Sequence, residues 1–448
     1  MVKFFMSLFR FVNFVLVIGY LFFAISTKAK INSFDDKENI EVYFPQLSEI
    51  IRGMDDNSPM LKINNERVKE GSFNKMIADS AQGFTADLNI NTYSIYENRP
   101  GGDYYQSYKT IGSIYVRKPF FQWGAIKAKN RIAELSENQN FKDSGNTKSN
   151  LIVHVKSEFL NMVLLSFELN LAKKILQLRD QNAENTRKRN ELGLVTELNV
   201  NEAGIKKLEQ SIQVSELERI FQSRNSNFVY DTGYNKKLDL NISADFKNFY
   251  LAHEIGLKIP LLVGLPSSNE IEQLKIQIET QDQQIIVANS GKKPKLSMVS
   301  AFFQDQIDLV DSPGSVRRNN FLIGIEANWN LWDSHLSKGK KSLAFAKKRK
   351  LEIELETKTR KLKLEVKDYQ KQLVNISNQI KLSRKLVNSA KNRLEKSQIE
   401  LNAKRITSIN HFESEISLSN ANLNLVRTIF HYMQIKLQYE KIINYSKS

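Results

Sequence analysis

Five histidines are the first place to look for chemistry: His154, His253, His335, His411 and His431. No two of them stand at HxH or HxxxH spacing, and the chain has no cysteine. Neither a paired-histidine site nor a thiolate site for zinc can be assembled from neighbours in sequence. The missing thiols also exclude a disulfide scaffold, an iron–sulfur cluster, a cysteine nucleophile and a lipid anchor on an N-terminal cysteine. There is no GxSxG, no phosphate loop and no GxGxxG. Glu352, Glu354 and Glu356 are closely spaced carboxylates, but they lie among Lys347, Lys348, Arg349, Lys350 and Lys358. On a helix that pattern makes a solvated ion-pair surface, not an acid–base pair. The chain reads as no enzyme, with no cofactor and no metal.

Composition narrows the partners. The 448 residues carry 65 basic and 49 acidic side chains, a net charge of +16. With 41% hydrophobic and 25% charged residues, a globally disordered chain is excluded. The positive balance suits nucleic acid, an acidic membrane surface or an anion path. The N-terminus chooses among them. After Lys3 and Arg10, the run Phe11 to Ile25 is apolar over 15 residues with only Asn13 polar. That is short of the ~20 needed to span a bilayer. Residues 1–29 read as a secretory signal peptide, with an uncleaved anchor over Phe4 to Ile25 as the alternative. Either one exports the remainder, which argues against nucleic acid. No later stretch approaches 18 apolar residues, so any further membrane insertion would use β-strands.

The elements repeat. Ile77-Ala78-Asp79-Ser80 and Val287-Ala288-Asn289-Ser290 stand 210 apart, and alternating stretches follow both. Turn-rich gaps come next, with Pro100-Gly101-Gly102 and Pro313-Gly314, then second alternating stretches. The corners Phe121-Gln122-Trp123-Gly124 and Trp332-Asp333-Ser334-His335 stand 211 apart, as do Thr196 and Thr407. These landmarks imply an internal duplication, each copy running helix, strand, strand, long helix, turn, helix. The first copy spans 45–227, with a hairpin over 84–118 and a tip turn near 193. A mixed insertion covers 228–266, and the second copy spans 267–445, with a hairpin over 294–330 and a tip near 404.

Phe321, Ile323, Ile325, Ala327 and Trp329 alternate with Leu322, Gly324, Glu326 and Asn328, as do Phe84 to Ile90 with Thr85 to Asn91. Period-2 strands of this length with aromatic ends fit a bilayer crossing. Four strands cannot close a barrel, so either the sheet is soluble or several chains share one barrel, for which three chains would supply twelve strands. No proline interrupts Asp333 to Asn402, where apolar residues recur at three- and four-residue steps as in a coiled coil. At about 1.5 Å per residue such a helix reaches about 100 Å. The cluster of Asp, Ser, Gly, Asn and Thr over Lys142 to Asn150 predicts a break in the counterpart helix. Thr196 and Thr407 are suited to cap the returning helices, and Gly193 to end the incoming one; Lys404 does so at greater cost. The basic run Lys338 to Lys350 could line a tunnel and favour anions, though solvent exposure is the plainer expectation.

Four words carry a resemblance over residues 45 to 445: Asn57-Ser58-Pro59-Met60-Leu61, Pro119-Phe120-Phe121-Gln122-Trp123-Gly124, Leu192-Gly193-Leu194-Val195-Thr196, and Ile323-Gly324-Ile325 leading into Trp332-Asp333. With them the chain resembles the TolC-like outer membrane efflux protein family. The resemblance implies a mainly α fold with a β-barrel part. A homotrimer would form a twelve-stranded barrel in outer membrane lipid above a long coiled-coil tunnel through the periplasm. It implies a passive exit duct for efflux or type I secretion, working with a periplasmic adaptor protein and an inner-membrane pump.

The resemblance also assigns the tips. Asn410 and Glu413, with Asn199 and Glu202, become gate candidates, and Gly193, Leu194, Val195, Lys404, Arg405 and Ile406 become adaptor-contact candidates. Three copies of Glu413 round an axis would repel like charge or bind a cation. Three positions depart from the family pattern: Lys404 and His335 replace glycines, and Asn410 replaces a carboxylate. The rival reading is an exported coiled-coil rod without a channel.

Overall fold

In a computed structural model, the structure describes residues 40–97, 105–241, 268–308 and 315–447. The leader at 1–29, both Pro-Gly turns and most of the insertion lie outside them. The described residues start with three helices, α1 (Ile40–Tyr43), α2 (Pro45–Asn57) and α3 (Pro59–Ser80). A hairpin of β1 (Thr85–Glu97) and β2 (Tyr105–Phe121) follows, then α4 (Ala125–Glu191) and α5 (Glu197–Thr232). The second half repeats the order: α6 (Asn269–Ser290), β3 (Lys295–Asp308), β4 (Ser315–Asn328), α7 (Leu336–Asn402) and α8 (Ser408–Lys447).

Matching joints in the two halves are bonded alike. Ser80 Oγ donates to the Ile77 carbonyl and Ser290 Oγ to that of Val287, both at 2.7 Å. Trp123 and Gly124 take positive φ before α4, at 53° and 83°; Ser334 and His335 do so before α7, at 47° and 67°. His335 thus occupies the left-handed position that Gly124 fills in the first half.

The four strands make one antiparallel sheet in the order β1-β2-β3-β4. Pro119 cannot donate to a ladder, and the β2–β3 register shifts beside it, between Pro119 and Phe121. The long helices extend from one end of the sheet. α4 and α7 have 67 residues each, about 100 Å at 1.5 Å per residue. α5 packs back on α4, α8 back on α7, and α4 also packs on α6 and α8.

The core sits round the middle of the long helices. Leu373, Ile376 and Ile380 of α7 are buried with Leu425, Val426, Ile429, Phe430 and Met433 of α8. These are the i, i+3, i+4 and i+7 steps of helices packed in register. Phe159 of α4 is fully buried and stacks edge-on against Phe44, with ring centroids 5.3 Å apart. Tyr234, Leu238 and Leu240, beyond α5, pack on the same core.

The break expected over Lys142 to Asn150 does not occur; α4 is continuous there. Its polar residues face polar partners on other helices. Asn64 Nδ2 donates to Ser144 Oγ at 2.8 Å, Asn269 Nδ2 to Asp143 Oδ1 at 3.2 Å, and Lys148 pairs with Asp55 at 2.6 Å. Weak helix propensity costs at most about 1 kcal/mol per residue, and tertiary bonds of this kind offset it.

Candidate functional site

Two regions carry the candidate function: the sheet, and the far ends of the helical hairpins. The cross-strand registers assign the faces of the sheet. One face holds Ala86, Leu88 and Ile90, then Ile114 and Val116, then Met298 and Phe302, then Phe321, Ile323, Ile325 and Ala327. It is apolar and open: Ile325 is 72% exposed, Phe321 70%, Leu88 and Ile90 66%. A contiguous bare patch across four strands exceeds the scattered apolar exposure of soluble surfaces. The opposite face is mixed: it holds Asp87, Asn89 and Asn91, Ser113, Tyr115 and Arg117, Ser297, Asn320, Glu326 and Asn328, with Ile111, Val299, Ala301, Phe303 and Leu322 among them. Arg117 Nη2 donates to both oxygens of Glu326 at 2.8 and 2.9 Å, and Tyr115 Oη donates to Glu326 Oε2 at 2.7 Å.

Amphipathic aromatics bound the apolar face. Gln106 Nε2 donates to the hydroxyls of Tyr96 and Tyr108 at one end. At the other, the indole N–H groups of Trp123 and Trp329 donate to the carbonyls of Pro294 and Lys292 at 2.8 and 2.9 Å. Among the described residues no helix is long and apolar enough to cross a membrane.

The outer strands β1 and β4 each have one partner among the described residues. The helices have two open flanks on the same sides. α5 leaves Leu198, Ile205, Leu208 and Ile212 bare, and α3 leaves Ile63, Phe73 and Ile77. On the β4 side, α7 leaves Ile353, Leu364, Leu382, Leu386 and Ile399 bare. Ile205, Leu208 and Ile212 stand at i, i+3 and i+7, the spacing of a coiled-coil seam. Charge differs between the flanks. α7 carries 19 Lys and Arg against seven Asp and Glu, whereas α5 carries four against six.

The tips are built alike. In the first, Gly193 N–H donates to the Asn190 carbonyl and Leu194 N–H to that of Arg189, both at 2.8 Å. In the second, Lys404 N–H donates to the Leu401 carbonyl and Arg405 N–H to that of Glu400, both at 2.9 Å. Both are the 6→1 and 5→2 pair of a Schellman ending. The residue in the left-handed position is Gly193, φ 71°, in one and Lys404, φ 57°, in the other. Gly193, Leu194, Lys404 and Arg405 are exposed, while Val195 and Ile406 are half-buried.

Thr196 caps α5, accepting from Asn199 N–H, and Asn199 Oδ1 accepts from the Thr196 N–H and hydroxyl, a capping box. The Asn199 side chain is thus engaged in its own helix start. Asn410, its counterpart, is exposed, and its N–H donates to Thr407 Oγ1 at 3.3 Å. Glu202 and Glu413 are exposed one turn on. The two sets of gate candidates lie on separate hairpins. These are tied side by side by the Lys174–Glu415 pair and by Arg427–Glu168 at 2.5 Å.

Sequence reading missed two tip residues. Asn190 Nδ2 donates to the Val195 carbonyl at 2.8 Å, bridging the first turn. His411, weighed only as a metal ligand, places Nδ1 2.9 Å from the buried Ser397 hydroxyl across the second hairpin. The i and i+5 spacing at the first and the polar i and i+14 pair at the second are too common to signal either.

No protein-family model and no curated protein matches the chain by sequence. Solved structures match it by fold. The Campylobacter jejuni CmeC outer membrane channel is 14% identical, with TM-score 0.74, over 94% of this chain and 90% of that one. The outer membrane protein VceC of Vibrio cholerae is 15% identical, with TM-score 0.69, over 90% and 97%. The open state of the Neisseria gonorrhoeae MtrE outer membrane channel is 11% identical, with TM-score 0.65, over 89% of each. The chain therefore has the TolC-like fold.

Proposed function

From that fold we propose that the chain is one subunit of a passive trimeric exit duct in the outer membrane, its hairpins reaching through the periplasm to an adaptor and an inner-membrane pump. The observation that carries this reading is the pairing of faces and edges in one sheet. An apolar, exposed face needs lipid, and two open edges cannot remain in lipid. From Ala86 to Tyr96 a tilted strand covers the ~25 Å apolar band of a bilayer barrel. Joining β4 of one copy to β1 of the next satisfies both edges. The same rotation brings the basic, apolar-striped α7 flank onto the α3 and α5 flank of the neighbour. Such a head-to-tail contact closes into a ring, and three copies give an even, antiparallel twelve-strand barrel. The equal joints of the two halves support their origin by duplication. In this reading Glu202, Glu413 and Asn410 line the closing end, and Leu194, Lys404, Arg405 and Ile406 meet the adaptor.

The test is extraction from washed membranes. A detergent-dependent particle with the native mass of three mature chains, retained through high salt and alkali, is the expected result. A monomer or dimer in the soluble periplasm would return the chain to the exported rod.

A further inference from the structure

The face of the sheet that carries Arg117 and Glu326 ends, where the helices begin, in two adjoining cavities. The larger, about 620 Å³, is lined by Arg117, Lys293, Lys295 and Lys340 as its cations. The smaller, about 490 Å³, shares Lys295, Lys340 and Ser337 with it and adds Lys129 and Lys347. The carboxylates of the larger cavity are already engaged. Glu326 binds Arg117 and Tyr115, and Asp333 Oδ2 accepts from the Ser337 N–H at 3.0 Å. The smaller cavity has no acidic lining residue. Among the described residues no ion pair holds Lys129, Lys295, Lys340 or Lys347, whereas Lys348 next to them is held by Asp282 at 2.7 Å. The start of α7 is already capped by Asp333, so the positive field here comes from the lysines. Concave walls concentrate such a field.

We propose that this junction is a binding site for compact, multiply charged anions of the phosphate class, with Lys295 and Lys340 at its centre. A single carboxylate would leave most of these cations uncompensated; a phosphate chain brings several oxygens to several ammonium groups. The basic run of α7 is thereby divided: Lys340 and Lys347 serve the site, and Lys348 serves packing. Binding rests on the cavities alone. Its role in passage, as a station for phosphate-bearing cargo on the water-filled side, rests on the conduit reading above.

The test is calorimetric titration of sodium tripolyphosphate into the detergent-purified full chain at low ionic strength. Lys295→Gln with Lys340→Gln should weaken binding at least tenfold. Lys363→Gln with Lys371→Gln, exposed positions on the same helix, should leave it unchanged and controls for net charge. No binding by the wild type, or equal loss in both variants, overturns the proposal. Phosphorus analysis separates the sources. Co-purifying phospholipid that blocks tripolyphosphate, and is absent from the Lys295/Lys340 variant, assigns the site to a lipid headgroup; binding without it assigns the site to soluble anions. A protein that binds tripolyphosphate but never conducts in a planar bilayer removes the conduit reading and leaves the site standing.

Discussion

Lys404 holds a left-handed backbone, φ 57°, at the turn where the first half has Gly193. For a residue with a Cβ that position costs roughly 1–2 kcal/mol. Lys404→Gly should therefore stabilise the second tip by about 1 kcal/mol, read as slower amide exchange at Ala403 to Arg405. Faster exchange would mean that the Lys404 side chain holds the turn by a bond of its own. Gly233 is stricter than Gly193. Both have positive φ, but a Cβ on Gly233 would lie 2.5 Å from the Asn57 carbonyl oxygen, while one on Gly193 meets nothing within 4 Å. Gly233→Ala should thus lower the unfolding midpoint clearly more than Gly193→Ala. Burial pushes the Lys441 ammonium below the ordinary lysine range, opposed by the charge of Glu270, while the ammonium also donates to Asn150 Oδ1. A base depressed in the folded state binds fewer protons than in the unfolded one, so its cost is present at neutral pH and is relieved as pH rises towards the unfolded value. Lys441→Met should raise the melting temperature at pH 7, with a gain that shrinks by pH 10; a pH-independent gain would point to packing instead. At this scale the sequence was legible where one residue type does one job. Thr196, Thr407 and Gly193 are of that kind. The engagement of Asn199 in a cap was not, because asparagine suits a cap, a turn or a pore equally.

Among the elements, the two 67-residue helices and the paired strands were legible because period and length agree over long stretches. Continuity of α4 through Lys142 to Asn150 was not. Local propensity there opposes a helix, and the deciding bonds come from Asn64, Asp55 and Asn269, distant in sequence. The bare stripe on α5 is the element-scale prediction. Burying an Ile or Leu side chain is worth about 1.5–3 kcal/mol. Ile205→Glu with Ile212→Glu would place charges in the proposed seam between copies and should turn the proposed trimer into monomers in detergent, with helix content by circular dichroism unchanged. A trimer that survives would show that the stripe faces water. The ties between hairpins make a second prediction. Arg427→Ala removes the link to Glu168 and should raise the open probability in planar bilayers, whereas an unchanged closed state would place the restraint elsewhere.

For the whole molecule, a helix-strand-strand-helix-helix order repeated at 210–211 residues suggested an internal duplication, and the resemblance carried by the corner and tip words suggested the rest of the architecture. What the single chain leaves open is written on its edges. Among the described residues β1 and β4 each have one strand partner, and the flanks beside them are apolar and of different charge. The central claim is that β4 of one copy pairs with β1 of the next and that the ring closes at three. A cysteine-free chain makes this directly measurable. One cysteine at Asn91 in β1 is combined in turn with one at each position from Asn319 to Ile325 in β4, and the membranes are oxidised before denaturing electrophoresis. The expected result is a covalent ladder at two or three neighbouring positions that stops at three chains. Monomer at every position, or a ladder running on beyond three, would contradict the account.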